Sequence, residues 1–397
     1  MINLDSLIND YGFPKVLIDY QNQFKKLIFN FDEVIYMNQN HEVFINETLQ
    51  SGNPMTIWQD CIERWKTKTT NDEISALGFF SYDFKKILYP NYLFKKFDDS
   101  TIPLFWFGKP SEVIHIDNCQ YNYKKNLMHI DKSLEKIDEY DNTIKKIKSY
   151  LYDGEVYQIN YTQPLTFDYN QNPFDLYMQI RQRANPEYGF YLDINDNQFL
   201  SFSPEKFFIK KNHLISSYPI KGTIKRINNI QQDLEQIKLL SNSKKDKAEH
   251  LMIVDLLRND IGKISKFGTV NVNDLFKIKT FETIHHMESE IQGVICSDKK
   301  EIDIIKALFP GGSITGAPKY RAIQIIDELE NYNRGIYTGC LGTINANGDM
   351  DFNICIRTMT INNNKATYPV GGGIVWDSNS ELEYNEAKEK ANILGDF

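Results

Sequence analysis

The stretch DEYDNTIKKIKSYLYDGEVYQINYTQPL, residues 138–165, changes its hydrophobic period part-way along and so indicates the fold class. Its first half places apolar residues at the three- and four-residue spacing of an amphipathic helix: Ile144, Ile147, Tyr150 and Leu151. The run that follows, from Val156 to Phe167, is typical of a β-strand. Helical and strand patterns alternate in this way toward the C-terminus, which predicts an α/β or α+β protein.

The composition is that of an ordinary globular protein. With 397 residues, of which 41% are hydrophobic and 25% charged, the chain can bury a sizeable core without disulfides or metal. Its net charge of -8 disfavours nucleic acid or an anionic membrane as a partner, and no run approaches eighteen uninterrupted apolar residues. The five cysteines show no Cys-x-x-Cys spacing, which favours a reducing cytoplasm: Cys61, Cys119, Cys296, Cys340 and Cys355. We therefore expect a cytoplasmic protein with no membrane or nucleic-acid partner.

The chain divides only loosely into two regions. Residues 1–130 are aromatic-rich, carry several strand-like runs and contain few groups suited to chemistry, so we expect this part to be a scaffold. The residues that suggest chemistry lie in 131–397. Since no repeat, Pro-rich linker or long charge block separates the regions, we expect one intertwined unit.

Carboxylates on a predicted helix, AEHLMIVDLLRNDIG at 248–262, suggest a cation site. Glu249 lies on the apolar side with Met252 and Ile253, and a buried carboxylate is costly unless it is paired, hydrogen-bonded or bound to metal. Asp246 lies one turn earlier, but with Ser243 it fits a helix cap that needs no ligand.

A second acidic helix, SNSELEYNEAKEKANIL at 378–394, places Glu383, Glu386 and Lys390 on one face. Ser380 and Glu383 fit a Ser-x-x-Glu capping box, and Glu386 with Lys390 fits a solvated pair worth only ~0.3–0.5 kcal/mol. Alternatively, Glu249 and Glu386 face inward together. Two such carboxylates without a His/Cys cluster would suit Mg²⁺ rather than Zn²⁺.

Three further features could hold an anion. GGGIV at 371–375 permits close approach by a ligand or by another strand. LFPGGSITGAPK at 308–319 is a Gly-rich loop with Pro318 in the first turn of a helix. It is either an anion site or a simple turn and helix cap, and it lacks the sequence pattern of a phosphate-binding loop. Arg357 lies in the strand-like run MDFNICIRTMTI, where it either pairs inward with a carboxylate or points to solvent.

Eight motifs in one order over residues 154–392 resemble the chorismate-binding enzymes, a family that includes anthranilate, aminodeoxychorismate, isochorismate and salicylate synthases. The motifs are PIKGT, AEHLMIVDLLRNDIG, HHMES, GGSITGAPK, RGIYTGCLG, FNICIRT, GGGIV and EYNEAKEKA. The resemblance implies an α/β (α+β) fold of large β-sheets wrapped by helices, with Mg²⁺ bridging the protein and chorismate.

The resemblance also assigns roles by position. Four carboxylates match the family's Mg²⁺ site, the first two as direct ligands and the others in support: Glu249, Glu386, Asp246 and Glu383. Glu205 matches the acid that protonates the departing C4 hydroxyl, and His286 matches a histidine beside the substrate. The positions that match those holding the two carboxylates of chorismate are Gly222, Thr223, Tyr337, Arg357, Gly371, Gly372, Gly373 and Lys390.

Two positions indicate the branch of the family. Isochorismate and salicylate synthases use a lysine to activate water where this chain has Gln158, and a neutral amide cannot take that proton. Anthranilate synthases have alanine where this chain has Lys221. Aminodeoxychorismate synthases have the lysine, which is thought to attack the ring. Replacing the C4 hydroxyl by an amine with retained stereochemistry needs two displacements, so Lys221 would add first and ammonia second, and the attacking amine must be deprotonated.

Ammonia must come from elsewhere, because no cysteine lies in a Gly-x-Cys-x-Gly nucleophile turn. We therefore expect a separate glutamine amidotransferase subunit. Only seven residues follow Lys390, so we expect no fused lyase and a product that keeps its pyruvyl group. One departure is Glu288 in HHMES, where many relatives have an apolar residue, which predicts altered surroundings for His286. The alternatives are an anthranilate synthase component I and a catalytically idle subunit that only binds the amidotransferase.

Overall fold

The computed structural model describes residues 4–20, 24–66, 73–97, 100–116, 121–123, 134–281 and 284–395. Cys119 and the expected division at residue 130 lie outside these ranges. Within them the α-helices are α1 (Leu4–Tyr11), α2 (Pro54–Trp65), α3 (Lys85–Leu88), α4 (Ile137–Tyr152), α5 (Pro173–Ala184), α6 (Ile230–Asn242), α7 (Lys244–Gly262), α8 (Glu301–Leu308), α9 (Lys319–Leu329) and α10 (Ser380–Lys390). None of these helices is long and apolar enough to cross a membrane.

The strands of the described ranges are β1 (Val16–Tyr20), β2 (Phe24–Ile28), β3 (Phe31–Met37), β4 (Val43–Ile45), β5 (Thr48–Gln50), β6 (Ile74–Phe80), β7 (Phe105–Pro110), β8 (Ile114–Ile116), β9 (Gln158–Asp168), β10 (Tyr188–Ile194), β11 (Asn197–Ser203), β12 (Lys206–Lys211), β13 (Leu214–Ser217), β14 (Ile220–Lys225), β15 (Asn271–Thr280), β16 (Ile284–Val294), β17 (Gly316–Ala317), β18 (Cys340–Asn345), β19 (Met350–Ile354), β20 (Thr358–Asn362) and β21 (Lys365–Ile374).

These strands form two large antiparallel sheets. One has the order β17-β9-β21-β20-β11-β10-β1-β2-β8, and the other has the order β14-β16-β13-β12-β19-β18-β6-β7-β3-β4-β5, with β15 also paired to β16. Each sheet contains strands from both sides of residue 130. The expected fold of large sheets wrapped by helices is confirmed, and the antiparallel pairing makes it the α+β arrangement.

Alternation along the strands explains the layers. Ile18, Phe79 and Phe199 belong to one buried cluster between the sheets, where the rings of Phe79 and Phe199 lie 5.2 Å apart. Their neighbours Leu17 and Phe80 point to the opposite faces, against apolar residues of the surrounding helices. Burying a large apolar side chain contributes about 1.5–3 kcal/mol, so each sheet is stabilised on both faces. The result is a helix–sheet–sheet–helix stack.

Several local predictions are confirmed. The helix and strand expected in residues 138–165 are α4 and β9. The helix predicted over 248–262 is part of α7 and ends at Gly262 as expected, and Ser243 is the N-cap of α7, its side chain accepting a hydrogen bond from the backbone N–H of Asp246 at 3.2 Å. Pro318, expected inside the first turn of α9, instead lies one residue earlier, at its N-cap.

The predicted capping box at Ser380 and Glu383 is wrong. The side-chain oxygen of Asn379 caps α10 by accepting from the amide of Glu381 at 3.0 Å. Ser380 donates instead to Asp141 of α4 at 2.6 Å, and Glu383 accepts from Ser378 at 2.7 Å. An asparagine one residue upstream therefore satisfies the helix start and leaves Ser380 for a tertiary contact.

The predicted continuous strand through Arg357 is also wrong. β19 ends at Ile354 and β20 begins at Thr358, so Arg357 lies in the break between them. Its φ of 50° is in the left-handed region, which non-glycine residues seldom occupy unless the surroundings hold them there.

Candidate active site

The candidate site lies where one end of each sheet meets two helices. β9 and β21 come from the first sheet, β14 and β16 from the second, and α7 and α10 pack beside them. This arrangement brings together residues that are far apart in the sequence: Gln158, Glu205, Lys221, Glu249, Gly372, Gly373, Glu386 and Lys390.

Lys221 points into this cleft. Its side chain is 18% exposed, and its Nζ lies 3.9 Å from Oε2 of Glu249. A Cβ placed on Gly373 would lie 3.2 Å from the same nitrogen. The next residue, Gly222, has φ +70° and forms a bulge, so that Lys221 pairs with Met287 whereas Thr223 pairs with His286. Lys221 is therefore a largely buried residue of the cleft.

Gln158 lies beside Lys221 with an unsatisfied amide. The residue is fully buried, and among the residues that the structure describes neither its Oε1 nor its Nε2 has a hydrogen-bond partner. A Cβ on Gly373 would lie 2.9 Å from its Nε2. An unpaired buried polar group costs about 1–3 kcal/mol, so such groups are rare away from sites that receive a ligand. Gln158 is thus placed to hydrogen-bond a polar molecule in the cleft.

Glu205 has the environment of a proton donor. It lies between β11 and β12, is buried, and accepts a hydrogen bond from Ser313 Oγ at 2.9 Å. Burial raises the pKa of Glu205 to about 7, although Ser313 and the charge of Lys221 both oppose the rise. A carboxyl with this pKa is partly protonated near neutral pH and can donate a proton. Ser313 was missed at the sequence level, although it lies in the quoted Gly-rich motif.

Carboxylates from α7 and α10 face each other across the cleft. Burial raises the pKa of Glu249, opposed chiefly by Lys221, and the negative charges of Asp246 and Glu383 add to the rise. A Cβ on Gly372 would lie 3.6 Å from Glu383 Oε2 and 3.7 Å from Glu386 Oε1. The carboxylate oxygens of Glu383 and Glu386 on α10 therefore lie close to Gly372 on β21.

The carboxylates of Glu249 and Glu386 suit a hard cation whose other ligands are water and substrate oxygens. The described part of the chain contains no group of three or more His, Cys, Asp or Glu side chains able to hold a metal by itself. Glu386 is 56% exposed and pairs with Lys390 at 2.7 Å, and Glu249 is 3.9 Å from Lys245. Mg²⁺ is commonly bound through one or two carboxylates, with water and substrate oxygens completing its octahedron, and Glu249 with Glu386 fits that pattern.

Lys390 and the glycines of β21 line another side of the cleft. Lys390 donates from Nζ to the carbonyl of Gly371 at 2.7 Å. Arg357 and Tyr337 lie close enough to Tyr368 to affect its pKa, which burial raises and Arg357 opposes. None of the ion pairs found within the described ranges involves Arg357.

His286 lies on β16, directly across from Thr223 of β14. Its side chain is 4% exposed, and within the described part of the chain its buried Nε2 has no hydrogen-bond partner. Burial, with a smaller effect from Lys279, lowers the pKa of His286 to about 4, so the ring is neutral at physiological pH. It neighbours Met287, the register partner of Lys221.

Comparison with known proteins decides the family. The chorismate binding enzyme family matches residues 122–396. The chain belongs to this family. Aminodeoxychorismate synthase component 1 of Escherichia coli (strain K12) is 40% identical over 257 residues, 65% of this chain and 57% of that protein. Anthranilate synthase component 1 of Acetivibrio thermocellus is 39% identical over 274 residues, 69% of this chain and 55% of that protein. The alignments thus span little more than half of these relatives.

A solved structure of the family has the same fold. Anthranilate synthase component I from Streptococcus pneumoniae TIGR4 superposes with a TM-score of 0.83 and 26% identity, covering 94% of this chain and 92% of that one. The resemblance drawn from the eight motifs is therefore confirmed. The roles assigned to single residues stay predictions, which the geometry above makes specific.

Proposed function

We propose that this protein is the synthase component of a two-component enzyme that aminates chorismate at C4, giving 4-amino-4-deoxychorismate. The observation that carries the proposal is the inward position of the Lys221 amine, between Gln158, Gly373 and Glu249. An amine in this place can reach a ring carbon of a bound molecule. The proposal is also supported by the names of two relatives, both aminodeoxychorismate synthase component 1.

The proposed chemistry uses two displacements. The deprotonated Lys221 amine bonds to C2 of chorismate, the two ring double bonds shift by one position, and the C4–O bond breaks. Glu205 gives its proton to the departing hydroxyl, which leaves as water. Ammonia then bonds to C4, the double bonds shift back, and the C2–N bond to Lys221 breaks. The new C4 ammonium gives one proton back to Glu205, and Lys221 leaves as a neutral amine. Overall, an amino group replaces the C4 hydroxyl, one water is released and the enolpyruvyl ether is retained.

Charge neutralisation holds the dianionic substrate. Arg357, with no carboxylate partner in the described part of the chain, would pair with one carboxylate of chorismate. Glu249 and Glu386 would hold Mg²⁺, with Asp246 and Glu383 in support, and bound Mg²⁺ would neutralise carboxylate charge on the substrate. The backbone amides of Gly371 to Gly373 would approach it without side chains in the way.

Ammonia would come from a separate glutamine amidotransferase. Burial raises the pKa of Cys61 to about 11 and raises the pKa of Cys340 and Cys355 as well. Since the thiolate is the nucleophile, these three cysteines are unsuited to attack glutamine. This agrees with the lack of a nucleophile turn in the sequence.

The test is incubation of the purified protein with chorismate, Mg²⁺ and ammonium, with Lys221→Ala as the matched control. We expect a product that yields 4-aminobenzoate only after a separate lyase is added, and no such product from the variant. Direct formation of fluorescent anthranilate would refute the proposal in favour of an anthranilate synthase, a function that the Acetivibrio thermocellus relative has by name. No turnover by the folded protein would favour a subunit that only binds the amidotransferase.

A further inference from the structure

Glu288 forms a chain of contacts with Lys279 and His286 that the proposed chemistry does not use. Glu288 and His286 lie two residues apart on β16, and Lys279 lies on the neighbouring β15, directly across from His286. The Oε1 atom of Glu288 pairs with Lys279 Nζ. The Oε2 atom lies 3.8 Å from His286 Nε2. One carboxylate oxygen is thus anchored, and the other is turned toward the imidazole.

The imidazole has one proton to place on two nitrogens. Its ring packs against Phe281, with centroids 4.5 Å apart, and no other described residue is a hydrogen-bond partner of its Nε2. If Nε2 carried a lone pair, that lone pair would face a carboxylate oxygen and repel it. If Nε2 carries the proton, the same oxygen attracts it, and a movement of about 1 Å makes a normal hydrogen bond.

We propose that Glu288 is a positioning residue that holds His286 in the tautomer protonated on Nε2, so that Nδ1 presents its lone pair. Burial raises the pKa of Glu288, and its ion pair with Lys279 opposes that rise and fixes the direction of the carboxylate; Lys277 and Glu290 are the other charged groups that act on it. With an apolar residue at position 288, only contacts with the substrate would determine which tautomer of His286 is present. The role of this tautomer in catalysis rests on the proposed function, whereas the presence of the tautomer does not depend on it.

A second link connects Glu288 to the proton donor. Its charge contributes to the raised pKa of Glu205, behind burial. The same carboxylate therefore acts on two groups: it orients His286 by contact, and it favours the protonated form of Glu205 at longer range.

The test is nuclear magnetic resonance of the ligand-free protein with ¹⁵N-labelled histidine, with the His286 signals assigned from a His286→Gln sample. We expect the wild-type ring to show the Nε2–H tautomer alone, and Glu288→Val to show a mixture or the Nδ1–H form. Glu290→Gln, two residues further along the strand, is the matched control and should leave the tautomer unchanged. Wild-type protein with the proton on Nδ1 overturns the proposal, whether or not Glu288→Val folds.

Kinetics separate this inference from the proposed function. Glu288→Val should lower kcat by about tenfold to a hundredfold, the usual effect of losing a carboxylate behind a functional histidine, with a smaller change in KM for chorismate. If the wild-type protein aminates chorismate but the tautomer is unchanged in a folded Glu288→Val variant, only the inference fails. If the tautomer responds but no amination occurs, only the proposed function fails.

Discussion

Replacing Gly373 by alanine should remove most of the activity and leave the fold intact. The new Cβ would lie 2.9 Å from Gln158 Nε2 and 3.2 Å from Lys221 Nζ, nearer than the ~3.5–4.0 Å of a comfortable contact. Both atoms are free ends of side chains, so they can move aside at a cost below about 1 kcal/mol, which corresponds to less than ~4 °C in Tm. Moving the reacting amine by about 1 Å should lower kcat/KM by about 100-fold.

The neighbouring glycines of β21 supply matched controls. A Cβ on Gly372 meets nothing nearer than Lys390 Nζ at 3.4 Å, so Gly372→Ala should be close to wild type in stability. Its methyl group leaves the Lys221 amine in place, so any loss of activity should lie in KM for chorismate rather than in kcat. A Cβ on Gly371 would lie 2.1 Å from the backbone oxygen of Tyr161, so Gly371→Ala must separate β21 from β9 and should lose about 3 kcal/mol of unfolding free energy. Urea unfolding and amination rates at saturating ammonium measure both effects. Wild-type turnover by Gly373→Ala would refute the reasoning.

Three further predictions concern single carboxylates. Burial raises the pKa of Glu205 to about 7 and the protonated form is the donor, so kcat/KM should fall as pH rises above about 7. Ser313→Ala removes a hydrogen bond that stabilises the carboxylate by about 1 kcal/mol, so it should move this fall to a pH higher by about 0.5–1 unit. A profile flat to pH 9 would contradict the role of Glu205. Glu249→Gln should weaken Mg²⁺ binding by about tenfold or more in calorimetry, and unchanged affinity would exclude it as a ligand. Glu330→Gln leaves Arg334, whose side chain is 1% exposed, without its carboxylate partner, and should lower the free energy of unfolding in urea by about 3–5 kcal/mol. A decrease below about 1 kcal/mol would show that the backbone carbonyls that accept from Arg334 are sufficient to stabilise it.

Patterns with short range could be predicted from the sequence. The period of the apolar residues in α4 and the cap of α7 at Ser243 depend on neighbours within a few positions, and both are confirmed. The motifs likewise identified the family, because they are contiguous runs. The inward face of Glu249 also follows from helix spacing alone.

Features made by contact between distant segments could not be predicted. Ser380 donates to Asp141, on a helix 239 residues away in the sequence, so the predicted capping box failed. The left-handed backbone of Arg357 depends on how β19 and β20 are joined, and the unpaired amide of Gln158 depends on which strands surround it. The sequence shows three similar glycines, whereas the structure gives each a different neighbour.

Mass spectrometry of the intact protein tests the central claim, that the Lys221 amine attacks the ring. Wild-type protein and Lys221→Ala would each be exposed to chorismate and Mg²⁺ without ammonia, and peptides would be mapped after denaturation. The account predicts a mass gain equal to chorismate less one water on the wild type only, located on Lys221. No adduct on either protein, together with unimpaired amination by the folded Lys221→Ala variant, would contradict it.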